Sequence, residues 1–128
     1  MAIYTNLPIY KASYALLLDV TREMANVPRD CRYTMGQDLR HKLTDIIVLI
    51  YRANRTRQKV KIISQMRETL LEAQVYLRLM SDLRYISERK YMALAETTHN
   101  MSKQMTAWEK SERARNNDSG EPEAGSDD

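Results

Sequence analysis

Apolar side chains along this chain return every three or four residues, the repeat of a helix buried along one side. The clearest run is Ile63, Met66, Leu70, Ala73, Leu77 and Met80, an unbroken 3-4 alternation. Such a seam is the pattern of left-handed helix packing in bundles. Upstream, Gly36, Leu39, Leu43, Ile46, Ile47 and Ile50 share one stripe and predict a helix from about Tyr33 to Ala53. Before that, Tyr10, Tyr14, Leu17, Thr21 and Met24 recur at helical spacing, with Ser13, Leu16 and Val20 alongside. That helix should begin near Pro8, whose missing N–H costs nothing in a first turn, and stop before Pro28. A last helix follows Ser87-x-x-Lys90, a capping box without its usual Glu, and carries Tyr91, Leu94, Thr98, Met101, Met105 and Trp108. Connections of a few residues make neighbours antiparallel. The pattern predicts an all-α, up-down antiparallel four-helix bundle over residues 1–115.

Composition supports this and closes off other classes. Three Gly and three Pro among 128 residues are too few for a sandwich, barrel or doubly wound sheet. One cysteine, Cys31, expected in a loop, excludes an internal disulfide framework and any CxxC site. No apolar run is long enough to span a bilayer, so no membrane partner is expected. The first residues, Met1 to Asn6, lack the layout of a secretory leader, which predicts a cytoplasmic protein. Residues 116–128 hold no aromatic or branched aliphatic side chain and are expected as a disordered acidic tail.

The apolar surface exceeds what one bundle core requires. Residues 46–51 (Ile-Ile-Val-Leu-Ile-Tyr) are apolar almost all round. Either the core is thick, or a second face is buried against another copy; in so short a chain a homo-oligomer is expected.

Candidate chemistry is thin. Asp38-x-x-His41 and Glu96-x-x-His99 have the spacing of di-iron bundle ligands. On a helical wheel both pairs point away from the apolar stripes, and the remaining carboxylates of a metal cage are missing. Cys31 has no histidine placed to activate it, and there is no Gly-rich phosphate loop. Eight methionines at helical spacing read as core fillers. The expectation is a protein without catalysis or cofactor.

Charge is more informative. The chain carries +3 overall, but five of its acids and none of its bases lie in residues 116–128, which leaves +8 on residues 1–115. A small body that basic favours polyanions, nucleic acid above all. Arg52, Arg55, Arg57, Lys59 and Lys61 fall within ten positions with no acid among them, at one end of the bundle. The dipole at the end of the second helix accounts for Arg52 and Arg55. It does not account for Lys59 and Lys61, which open the next helix at its unfavourable pole; phosphate binding would. Arg84, Arg89 and Lys90 gather at the opposite end, and Arg67 and Arg78 could link the two ends along the third helix. Few aromatic residues accompany these bases in the sequence. Base stacking is therefore not expected, and contacts should go to the phosphate backbone with little sequence preference.

Three stretches carry a family resemblance: Tyr10-Lys11-Ala12-Ser13-Tyr14; Tyr33-Thr34-Met35-Gly36-Gln37-Asp38-Leu39-Arg40; and Ile47-Val48-Leu49-Ile50-Tyr51-Arg52-Ala53-Asn54. Over roughly residues 8–110, the extent of the bundle domain, the chain resembles the accessory variability determinant (Avd) proteins of diversity-generating retroelements. The same family includes proteins encoded in intervening sequences of ribosomal RNA genes. The Tyr-Arg-Ala-Asn ending of the third stretch is more similar to the Avd branch. The resemblance implies a barrel-like homopentamer that binds RNA or DNA together with a reverse transcriptase, in support of mutagenic copying. It implies that Gly36 marks a close helix approach, and that Arg40, Arg52 and Arg55 occupy positions where bases are common. The chain departs from the pattern at Ala107, where a glycine would precede Trp108, and in its acidic tail. The alternative is a structural or protein-interaction bundle of the intervening-sequence type.

Overall fold

Pro8 opens the first long helix: Leu7 is extended at the N-cap and the proline ring takes the first turn. In the computed structural model, which describes residues 3–119, this helix is α1 (Pro8–Glu23), preceded by a 3₁₀ turn at Tyr4–Asn6. A second 3₁₀ turn, Met24–Asn26, unwinds its end. Arg32 then holds the corner, its guanidinium donating to the carbonyls of Met24 at 2.9 Å and Val27 at 3.3 Å. Cations at such orphan carbonyls suit the negative pole of the helix. Pro28 caps a one-turn helix, α2 (Arg29–Arg32), that the sequence pattern did not predict. Cys31 is therefore helical and buried rather than in a loop.

Three longer helices follow: α3 (Met35–Arg55), α4 (Lys59–Asp82) and α5 (Glu88–Ser119). The α4–α5 turn is a Schellman motif, in which Tyr85 N–H donates to Met80 O and Arg84 N–H to Ser81 O, each at 2.9 Å. Its left-handed position, usually glycine, is filled by Arg84 at φ 64°. Ser87 caps α5 by accepting the Lys90 backbone N–H at 3.1 Å.

The four long helices close a ring in which α1 and α4 lie diagonally, each packed on both α3 and α5. This is the four-helix bundle the periodicity predicts. The α4 seam is buried as read, from Ile63 to Met80, with Val60 added in front. On α3 the buried line is Gly36, Leu39, Leu43, Ile46, Leu49, Ile50 and Ala53, with Ile47 only half-buried. Burying each such aliphatic contributes about 1.5–3 kcal/mol before entropy is counted.

Gly36 does mark a close approach. A methyl there would overlap Met24 Sδ and press on the Cys31 carbonyl oxygen at 3.2 Å.

Two further expectations need correction. On α1 the buried face is Ile9, Ser13, Leu16 and Val20, not the stripe led by Tyr10 and Tyr14; Tyr14 is half exposed. Both stripes are apolar enough to compete, and the positions of α3 and α5 select the smaller side chains. The Ser13 hydroxyl can sit inside because it donates to Ile9 O at 2.7 Å. The second correction concerns the far end of α5, which stays helical to Ser119 and buries Glu112 and Asn116. Residues 116–119 thus continue α5 instead of opening a tail, with Glu109, Glu112 and Asn116 buried beyond Trp108. The remainder of the expected tail, residues 120–128, lies outside the described residues.

Candidate nucleic-acid interface

The α3–α4 turn brings together the five bases that the sequence places within ten positions. Arg52, Arg57 and Lys61 are exposed and make no ion pair among the described residues. Arg55 is exposed as well, but its guanidinium is fixed. It donates to the Tyr51 hydroxyl and lies 5.1 Å from the centroid of that ring, a cation–π contact.

Lys59 corrects the sequence argument. Its ammonium turns back and donates to Ala53 O at 2.6 Å, in the last turn of α3. It therefore caps the helix behind it, which explains a cation at the start of α4 without any ligand. Burial pushes its pKa below the ordinary lysine value, against the opposing pull of Glu112. Four of the five bases remain available.

Sequence reasoning also missed an aromatic ladder beside them. Tyr51 meets Tyr4 edge-on at 5.1 Å, Tyr4 meets Tyr10 edge-on at 5.3 Å, and Tyr10 stacks on Tyr14 at 6.0 Å with rings 13° apart. Tyr4 and Tyr51, distant in the chain, meet because the 3₁₀ turn at Tyr4–Asn6 packs on α3 alongside α1. A signal existed in the correct α1 face: once Ile9, Ser13 and Leu16 turn inward, Tyr10 and Tyr14 must flank the core. The expectation that few aromatic residues accompany the bases does not hold in three dimensions.

The opposite end differs. Lys90 reaches Glu23 of α1 at 3.8 Å, and Arg78 pairs with Asp82 one turn on at 3.3 Å. The charge and hydrogen bonds of Asp82 raise the pKa of Arg78 further. Arg84 and Arg89 are exposed, and an open groove of about 770 Å³ is lined by Arg84 together with Arg78, Asp82, Glu88 and Tyr91. Its mixed charge does not favour a polyanion as the other end does.

The proposed link along α4 is broken at both positions. Arg67 donates to Glu109 of α5 at 2.9 Å, and Arg113 donates to the other carboxylate oxygen of the same residue at 2.9 and 3.0 Å. Burial alone would raise the Glu109 pKa, but these two guanidiniums overcome it and hold the carboxyl below its usual value. Arg67 and Arg78 are thus committed to acids. Arg40, on α3, is half-buried, and its Nε is buried without a hydrogen-bond partner.

Asp38, His41, Glu96 and His99 are all exposed, and Asp38 accepts a hydrogen bond from the Tyr76 hydroxyl at 3.2 Å. Burial raises the pKa of the Cys31 thiol, the opposite of an activated thiolate. No helix among the described residues is long and apolar enough to cross a membrane. Neither the models of known protein families nor the curated proteins include a match to this chain.

Proposed function

We propose that this bundle is a non-catalytic accessory protein of a diversity-generating retroelement. In this reading it binds template RNA or its cDNA copy together with the reverse transcriptase, and so supports mutagenic reverse transcription. The observation that carries the nucleic-acid part is the α3–α4 end, where Arg52, Arg55, Arg57 and Lys61 are exposed and make no ion pair among the described residues. The retroelement and polymerase parts rest on the family resemblance. Assembly as a homopentamer has the same basis. It is supported by an apolar line on the outer face of α4, where Leu71 is 62% exposed, Val75 60% and Leu79 41%.

The test is binding to a structured RNA across a salt series, on a sample whose mass is known from light scattering. Affinity should fall steeply with salt. Replacing the four bases by Gln should lower the slope of log K against log salt by about 3–4 without changing the mass. The same apolar line on α4 favours the second reading, a structural or protein-interaction bundle. Absence of binding at low salt would select it.

A further inference from the structure

Tyr14 closes the tyrosine ladder on the surface. Its ring runs nearly parallel to that of Tyr10 at 6.0 Å, and the residue is 50% exposed. At the far end of the ladder Tyr51 is 38% exposed beside the Arg55 guanidinium. A surface with tyrosine faces and fixed cations, and without carboxylates, has a particular chemistry.

The contact from Tyr51 through Tyr4 to Tyr10 shows which flank of α3 faces α1. At 3.6 residues per turn, Arg40, Thr44, Ile47, Tyr51 and Arg55 fall within about 80° on that flank. On α1 the matching flank carries Tyr10, Tyr14 and Leu18, with Lys11 at its edge. Neither set contains an acid, although 29% of the chain is charged. Lys11 and Arg40 make no ion pair among the described residues.

We propose that the groove between α1 and α3 is a site for single-stranded nucleic acid. Bases stack on Tyr14 and against Tyr51, while Lys11, Arg40 and Arg55 contact the phosphates. Every base has a π-face, so stacking on tyrosine is tolerant of sequence, but it requires bases that are not already paired. A duplex presents only its phosphates and would engage the bases of the α3–α4 end alone. This inference rests on the nucleic-acid reading above and adds the strand state of the ligand.

The experiment compares an oligothymidylate of about 12 nucleotides with a duplex of the same length, both titrated onto the full chain at one salt concentration. The single strand should bind more tightly than the duplex. Tyr14→Ala should weaken the single strand about 5- to 100-fold and leave the duplex unchanged, while Tyr14→Phe, which keeps the ring, should bind as the parent does. Tyr51→Leu should act in the same direction and also release Arg55. Unchanged single-strand affinity in Tyr14→Ala and Tyr51→Leu would overturn the groove as a stacking site and leave the basic end standing. Binding of neither ligand would remove the nucleic-acid reading itself, and this proposal with it. A lower mass for Tyr14→Ala would assign the groove to a second copy of the chain and overturn the proposal.

Discussion

The two ends of the bundle look alike in the sequence and differ in the structure. Each carries a cluster of bases around a helix–helix turn. At the α3–α4 end, four of five cations are exposed and make no ion pair among the described residues, and the fifth is absorbed by the carbonyl of Ala53. At the α4–α5 end, Lys90 is matched by Glu23 and Arg78 by Asp82, and Glu88 sits in the first turn of α5. An exposed pair such as Arg78–Asp82 contributes little to stability, about 0–1 kcal/mol. Its effect on binding is larger, because a paired cation releases no counterion to an incoming phosphate. Two basic clusters are thus unequal sites, and the acids paired with the second, Asp82 on the same helix and Glu23 across the interface, contribute to the difference.

Neutralising each end separately should give the largest effects. Gln at Arg52, Arg55, Arg57 and Lys61 should weaken RNA binding roughly 100-fold or more at low salt. Gln at Arg84, Arg89 and Lys90 should cost less than about 10-fold, for the same reason. Equal losses, measured by titration at matched salt, would erase the distinction.

Gly36→Val probes the α4–α5 end as structure rather than as a binding site. The branched side chain should collide with Met24 and the Cys31 carbonyl and destabilise the fold by about 2 kcal/mol. Urea unfolding would measure that loss, and RNA affinity at temperatures where the fold persists should not change.

Glu109→Gln tests the bases sequestered between the ends. It removes the carboxylate shared by Arg67 and Arg113, at a cost of about 1–2 kcal/mol in stability. Arg67 is freed at the same time, so RNA affinity should rise a few-fold while stability falls. The pH dependence follows from the lowered carboxyl pKa. The stability due to Glu109 is complete above the unfolded value of 4.5 and is lost as pH falls through the lower native value. Acid titration of the Gln variant should lack that component; an identical acid profile would remove the ion triad from the account.

The smallest effect belongs to Arg84→Gly. A left-handed φ of 64° is unfavourable for arginine and open to glycine, so this variant should be more stable by about 0.5–1 kcal/mol. Any large loss of RNA binding from this one change would show that the α4–α5 end contributes more than its paired charges suggest.

Most of the fold was legible because it rests on local periodicity. The α4 seam from Ile63 to Met80 is buried residue for residue, and Pro8 starts α1 where its ring fits. The site was legible only as a list of cations. Arg52, Arg57 and Lys61 are where the spacing puts them, whereas Lys59, Arg67 and Arg78 have partners. Nothing in the sequence near Arg67 announces Glu109, forty-two positions away. The α1 face was misjudged for a related reason: tyrosine is apolar enough to mimic core spacing and polar enough to stay at the surface.

The four long helices, their directions and the ends at which the bases collect follow from the local sequence pattern, since each depends on residues a turn or two apart; the one-turn α2 does not. Which of two adjacent stripes enters the core, which cations remain unpaired, and the assembly of Tyr4, Tyr10, Tyr14 and Tyr51 into one ladder were decided by the tertiary structure. Those outcomes depend on side chains brought within a few ångströms by packing, and both electrostatic pairing and ring contact fall away over that distance.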